Sequence, residues 1–271
     1  MTTPRPRRPD GRSGSPKPSD TASPRADRPR PPRRTEATAA ARRAAPATGA
    51  LVTSGLTKVY GDVPALAPLD LVVAEGSRVA LVGHNGSGKT TLLRMAAGLL
   101  EPTDGTVTVF GQPAGSLDAR RAVSYLSDNP TFYEDLSVWE HLEYVAGLHG
   151  CDDSWSQRAA DLLGALGLYE RADDLPTRFS RGLRQKAAIA IGLVRPFRVL
   201  LVDEPFVGLD ATGREALLEL FTDAHDTGAT VVVATHELAF VDGVDHLVAL
   251  RDGIVVHDGT TQGVEVRALV T

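Results

Sequence analysis

The chain has 271 residues, 42% of them apolar and 23% charged, with a formal net charge of −5, enough for one or two domains and a sizeable core. Its single cysteine, Cys151, excludes an internal disulfide framework and a cysteine-built zinc cage. No stretch approaches the roughly 18–20 apolar residues that a membrane-crossing helix needs, and the basic N-terminus lacks the apolar run of a secretory signal, so a reducing cytosol is the expected compartment.

Charge is unevenly spread along the chain. Residues 1–49 carry 12 Arg and Lys against 4 Asp and Glu, a net of +8, together with 10 of the 18 prolines, which leaves −13 on the remaining 222 residues. So few large apolar side chains cannot offset the entropy of ordering, and an Arg/Pro-rich disordered tail is expected over 1–49. Its clusters Arg7-Arg8, Arg33-Arg34 and Arg42-Arg43 suit anionic lipid, RNA or the acidic remainder of the chain, or simply solvent.

From residue 50 the pattern is that of alternating strands and helices. Residues 51–56 and 66–73 read as strands suited to antiparallel pairing, and 78–82 as an apolar strand ending on glycine. Apolar strand runs recur at 106–110, 122–126, 199–202 and 230–234 with helical stretches between several of them, as in a parallel sheet covered on both faces. Runs at 247–250 and 254–257 flank Arg251-Asp252-Gly253, whose Asp-Gly pair signals a hairpin. Between about 128 and 195 the strand signal lapses, and apolar spacings of three and four predict helices over 138–148, 155–166 and 180–194. The last of them should stop at Arg195-Pro196, since proline lacks a donor and restricts its predecessor.

Directly after the strand 78–82, residues 83–90 read Gly83-His84-Asn85-Gly86-Ser87-Gly88-Lys89-Thr90, followed by Thr91. This matches the phosphate-binding loop at each fixed position and in the strand–loop–helix setting that the motif requires. Phosphates can be ringed by backbone N–H donors only where the chain curls closely, which the three glycines permit, and the helix start adds its own donors and dipole. Lys89 should reach the β/γ oxygens of a nucleotide, and the Thr90 hydroxyl suits Mg²⁺. A second apolar strand ends in Asp203-Glu204. There Asp203 would hold Mg²⁺ directly or through water, and Glu204 would act as the base that polarises the attacking water. No Asn-Lys-x-Asp guanine pocket is present, which argues against a GTPase.

Between these two sites lies Phe179-Ser180-Arg181-Gly182-Leu183-Arg184-Gln185-Lys186, and here the chain resembles the ATP-binding cassette (ABC) family. In that family a Leu-Ser-Gly-Gly-Gln signature opens a helix that points at the γ-phosphate of nucleotide held by a second copy. Ser180 and Gly182 fall on its serine and second glycine, while Phe179, Arg181 and Leu183 depart from it. Tyr60 resembles the aromatic that stacks on adenine. Asp210, in Gly208-Leu209-Asp210, resembles the dimer-contact aspartate, and His236, in Thr235-His236-Glu237, the switch histidine at the γ-phosphate. Where Asp128 stands, the family usually carries a glutamine reaching the metal and the water, so Asp128 is expected near Mg²⁺.

The resemblance implies an α/β P-loop NTPase over residues 50–271: a mainly parallel central sheet, an antiparallel β subdomain and a helical insertion. It further implies an ATP hydrolase acting as a head-to-tail dimer with ATP and Mg²⁺, docked on separate integral membrane subunits at the inner face of the cell membrane. On the resemblance Phe132, Tyr133, Trp139 and Tyr144 are the expected docking aromatics, with a place in the core as the alternative. Residues 129–138 and 203–210 look most like cassettes of exporters. A soluble cassette ATPase acting on nucleic acid or ribosomes is the alternative, which the acidic body disfavours.

Overall fold

The computed structural model describes residues 48–270; of the expected tail, positions 1–47 lie outside the described residues. The chain runs through β1 (Leu51–Tyr60), β2 (Val63–Val73), β3 (Arg78–Val82), α1 (Lys89–Ala96), β4 (Asp104–Val109), β5 (Gln112–Pro113), α2 (Leu117–Ala122) and β6 (Val123–Leu126). It continues through α3 (Val138–Leu148), α4 (Trp155–Ala165), α5 (Arg181–Leu193), β7 (Val199–Asp203), α6 (Ala211–Asp226), β8 (Thr230–Ala234), α7 (Leu238–Val241), β9 (His246–Arg251), β10 (Ile254–Gly259) and α8 (Val266–Val270). Among the described residues no helix is long and apolar enough to cross a membrane.

These strands form two sheets. A six-stranded sheet has the order β10-β9-β3-β8-β7-β6; every neighbouring pair in it is parallel except β9 with β10, the expected hairpin. β7 and β8 are buried at every residue, so their sequences are continuous apolar runs rather than alternating ones, as strands covered on both faces must be. One face packs on Leu142, Leu163, Phe221 and Phe240 from the surrounding helices. The other packs on Leu92, Leu93 and Met95 of α1 and on the apolar face of the second sheet.

That second sheet is antiparallel, in the order β2-β1-β4-β5, and it corrects one expectation. Residues 106–110 do not join the parallel sheet; β4 pairs antiparallel with β1, Leu51 opposite Val109. The reason lies in their own pattern: Val107 and Val109 are buried while Thr106 and Thr108 are not, the two-residue period of a sheet with one covered face. Phe110 falls beyond the strand at a φ of 47°, with the Arg198 guanidinium over its ring. Residue 122 likewise closes α2 instead of starting a strand.

The region 138–193 is helical. α3 starts with a capping box in which Ser137 Oγ accepts from the Glu140 amide and the Glu140 carboxylate accepts from the Ser137 amide. α5 ends at Leu193, shortly before Arg195-Pro196.

Candidate active site

β3, β8 and β7 are consecutive in the sheet, so the segments that leave their carboxyl ends meet in one crevice, the place where open parallel sheets hold ligands. The loop 83–88 leaves β3, Thr235-His236 leaves β8, and Asp203-Glu204 closes β7. The loop is shaped by close approaches. Gly83 has φ 147°, and a Cβ there would lie 2.1 Å from the Leu250 carbonyl oxygen; Gly88 has φ 106° and a Cβ would lie 2.9 Å from that of Ala65. Neither position admits a side chain. The turn between β9 and β10 completes the seat, with the Gly253 amide donating to Ser87 O at 3.0 Å and Asp252 Oδ1 standing 3.3 Å from His84 Nε2.

Lys89, buried at the start of α1, donates to the carbonyls of Gly83 at 2.6 Å and His84 at 3.3 Å, and its Nζ is 3.4 Å from Glu204 Oε1. The other Glu204 oxygen is 3.0 Å from His236 Nδ1. Glu204 itself has φ 45°, a left-handed conformation that side-chain-bearing residues rarely adopt; it is held by the Glu204 amide donating to Ala234 O at 2.8 Å. Lys89, Glu204 and His236 thus form an unbroken run across the crevice.

Asp203 precedes Glu204 in the chain and feels the charges of Glu204 and Lys89. It is fully buried, and neither carboxylate oxygen has a hydrogen-bond partner of ordinary geometry. Burial pushes its carboxyl above the usual range, the Thr90 hydroxyl opposes that shift, and the charges of Asp128 and Glu204 add to it. A buried carboxylate with open oxygens is costly on its own and, with a threonine hydroxyl beside it, has the hard oxygen donors that Mg²⁺ takes; the residues present fit that ion. Asp128 reaches the same neighbourhood, 3.7 Å from Arg94 of α1 and accepting from Ser127 Oγ at 3.1 Å.

Ser180, Gly182 and Asp210 form a second group. Ser180 caps α5, its hydroxyl accepting from the Leu183 amide. Gly182 lies against the loop after Glu204, where a Cβ would stand 2.5 Å from Gly208 O. Asp210 caps α6 by accepting from the Gly213 amide at 3.0 Å and pairs with Lys186 of α5 at 3.1 Å, which with the Gly213 amide holds its carboxyl below the usual range.

The family model described as ABC transporter matches residues 66–207. The chain belongs to the ABC transporter family. It is similar to the SkfA peptide export ATP-binding protein SkfE of Bacillus subtilis (strain 168), 32% identical over 205 residues that cover 75% of this chain and 86% of the relative. It is also similar to the daunorubicin/doxorubicin resistance ATP-binding protein DrrA of Streptomyces peucetius, 36% identical over 220 residues, 79% of this chain and 66% of that one. Among solved structures, the ATP-binding subunit of an ABC transporter superimposes with a TM-score of 0.75 at 30% identity, covering 81% of this chain and 97% of that chain. A dimeric post-hydrolysis state of the ATP-binding cassette MJ0796, bound to ADP and Pi, gives 0.72 at 26% identity and covers 79% and 100%. The α/β fold with its antiparallel subdomain is therefore that of an ABC cassette, an ATP-binding and ATP-hydrolysing subunit.

In this ABC cassette Tyr60 stands half-exposed at the end of β1 with the Lys58 ammonium over its ring at 5.2 Å. Asn85 accepts through its carbonyl at 2.8 Å from His84 Nδ1, and Gly86, Ser87 and Thr91 fill out the loop and the first turn of α1. The four aromatics expected on one surface divide in two. Trp139 is packed against Trp155 at 5.5 Å and Phe132 edge-on to His141, both partly buried in the helical core. Tyr133 and Tyr144 are exposed and touch each other at 5.5 Å, beside a cleft of about 570 Å³ between α3, α5 and residues 125–133. The sequence assigned no role to Arg94, Lys186, Gly208 and Gly213, which meet Asp128, Asp210, Gly182 and the Lys186 stem only in the fold; Asp252 carried a hairpin signal but none for His84.

Proposed function

We propose that this cassette hydrolyses Mg²⁺-ATP as one half of a head-to-tail pair and drives export through separate membrane subunits. The observation that carries the reading is the Lys89–Glu204–His236 run beside the buried, unpartnered oxygens of Asp203. In this reading Lys89 exchanges the Gly83 and His84 carbonyls for phosphate oxygens, which frees Glu204 from its ammonium. Glu204 then orients a water and takes its proton, while His236 holds the carboxylate and faces the γ-phosphate. Thr90 and Asp203, with Asp128 nearby, are the residues that would hold Mg²⁺, which when bound supplies neutralisation of the β/γ oxygens. The loop 83–91 grips the phosphates and Tyr60 the adenine, while Ser180, Gly182 and Asp210 meet the second copy.

Export is supported by SkfE, a peptide export ATP-binding protein, and by the macrolide export ATP-binding/permease protein MacB 1 of Aeromonas hydrophila, 34% identical over 219 residues that cover 34% of it. In this reading Tyr133 and Tyr144 beside the cleft dock on a membrane subunit, with the cassette at the inner face of the membrane. The deciding experiment is Glu204→Gln: ATP binding retained, dimer accumulating with Mg²⁺-ATP, and hydrolysis nearly lost. Rapid turnover by that variant would remove Glu204 from the base position.

A further inference from the structure

We infer that Lys186 is a positioning residue that ties the signature segment to the Asp210 loop, so that the two parts facing the second copy move as one body. The inference rests on the two-copy reading above. Lys186 is only 14% exposed although it carries a charge, and its ammonium lies 3.1 Å from Asp210 Oδ1, the same oxygen that accepts from the Gly213 amide. Its route is built for that contact. Gly213 sits in the first turn of α6, where glycine is about 1 kcal/mol worse than alanine, and a Cβ there would stand 2.7 Å from Lys186 Cε and 2.7 Å from Asp210 Oδ1. The missing side chain makes room for the lysine stem. A second tie runs in parallel, where Gly182 comes so close to the Gly208 carbonyl that a Cβ would meet it at 2.5 Å, and the Arg181 stem lies across Gly208. Ser180-Arg181-Gly182 and Gly208-Leu209-Asp210 are thereby clasped at both ends, and neither can shift toward a partner without carrying the other.

The test uses the full chain in a Glu204→Gln background, reading ATP-driven dimerisation by sedimentation and ATP affinity at a concentration where the protein is monomeric. Lys186→Met removes the charge and keeps the stem; Gly213→Ala favours the helix but wedges the lysine off Asp210. Both should weaken the dimer about threefold or more, the scale of a modest ion pair, with monomer ATP affinity and melting temperature held, and Lys186→Arg should restore it. With Glu204 intact, Lys186→Met should lower kcat while KM for ATP stays put. Undiminished dimerisation in Lys186→Met, or a loss matched by an equal fall in monomer ATP affinity, would overturn the inference. If the Glu204→Gln parent itself stays monomeric in Mg²⁺-ATP, the two-copy reading fails and the inference with it, an outcome visible before any Lys186 variant is made.

Discussion

Two helices of this protein begin in opposite ways. α1 starts after Gly88, a left-handed residue with no side chain to cap the first turn, and it follows a loop whose backbone is pressed into a tight curl. α5 starts after Ser180, whose hydroxyl takes the Leu183 amide for itself. A helix leaves four N–H groups without partners at its start. At α1 no side chain takes these donors, and although the Ser87 amide of the loop donates to His84 O at 3.1 Å, the positive end is left for phosphates. At α5 one donor is satisfied internally, so this end can offer less. In the proposed two-copy reading, this difference separates a primary grip made by one chain alone from an auxiliary contact that acts when a second copy closes on it.

Four measurements break or sharpen that separation. Glu204→Gln removes the base from the primary side, and steady-state hydrolysis should fall by about 10²–10⁴-fold, with ATP binding by equilibrium titration intact. Lys89→Ala deletes a charge-assisted contact of the same side; nucleotide affinity should drop by roughly 10- to 150-fold, the equivalent of about 1.5–3 kcal/mol. Asp128→Ala acts between the sides, and turnover of the cassette with its membrane subunits should fall about fivefold, at the low end of coupling energies between sites. Unchanged coupled turnover would remove Asp128 from the site. The smallest effect concerns stability. Burial raises the Asp203 carboxyl in the folded chain, so the folded state binds that proton more readily than the unfolded one. The nucleotide-free protein should therefore lose stability as pH rises from the ordinary Asp range through the raised value. Asp203→Asn should flatten that slope and raise the melting temperature by about 2–4 °C at neutral pH, the shift that goes with roughly 1 kcal/mol in a domain of this size. The same variant should lose Mg²⁺-dependent nucleotide binding.

Much of the primary side was legible because its chemistry is local. A strand, a glycine loop, a lysine and a helix follow one another between residues 78 and 96, and Asp203-Glu204 closes a strand whose apolar run announces itself. The hairpin at Asp252-Gly253 was readable from two residues. What escaped was long-range or depended on which face a strand covers. The residues 106–110 carried strand propensity but not their partner, and only the alternation of Val107 and Val109 with threonines pointed to the antiparallel sheet. Trp139 suited either docking or the core and packs on Trp155, sixteen residues on, because helix spacing alone does not say which neighbour covers an aromatic. Lys186 and Gly213 sit in separate helices, and nothing near either in the chain anticipates the other.

The seating of the phosphate loop has a consequence for biosynthesis. Gly83 is walled by the Leu250 carbonyl and Ser87 is tied to Gly253, so a loop that leaves the ribosome early gains its last supports some 160 residues later. A nascent chain lacking β9 and β10 holds every residue of the motif and still lacks its final mould. Nucleotide capture should thus depend on strands made long after the motif itself, and a chain cut before β9 should bind nucleotide more weakly than the whole one in an equilibrium titration.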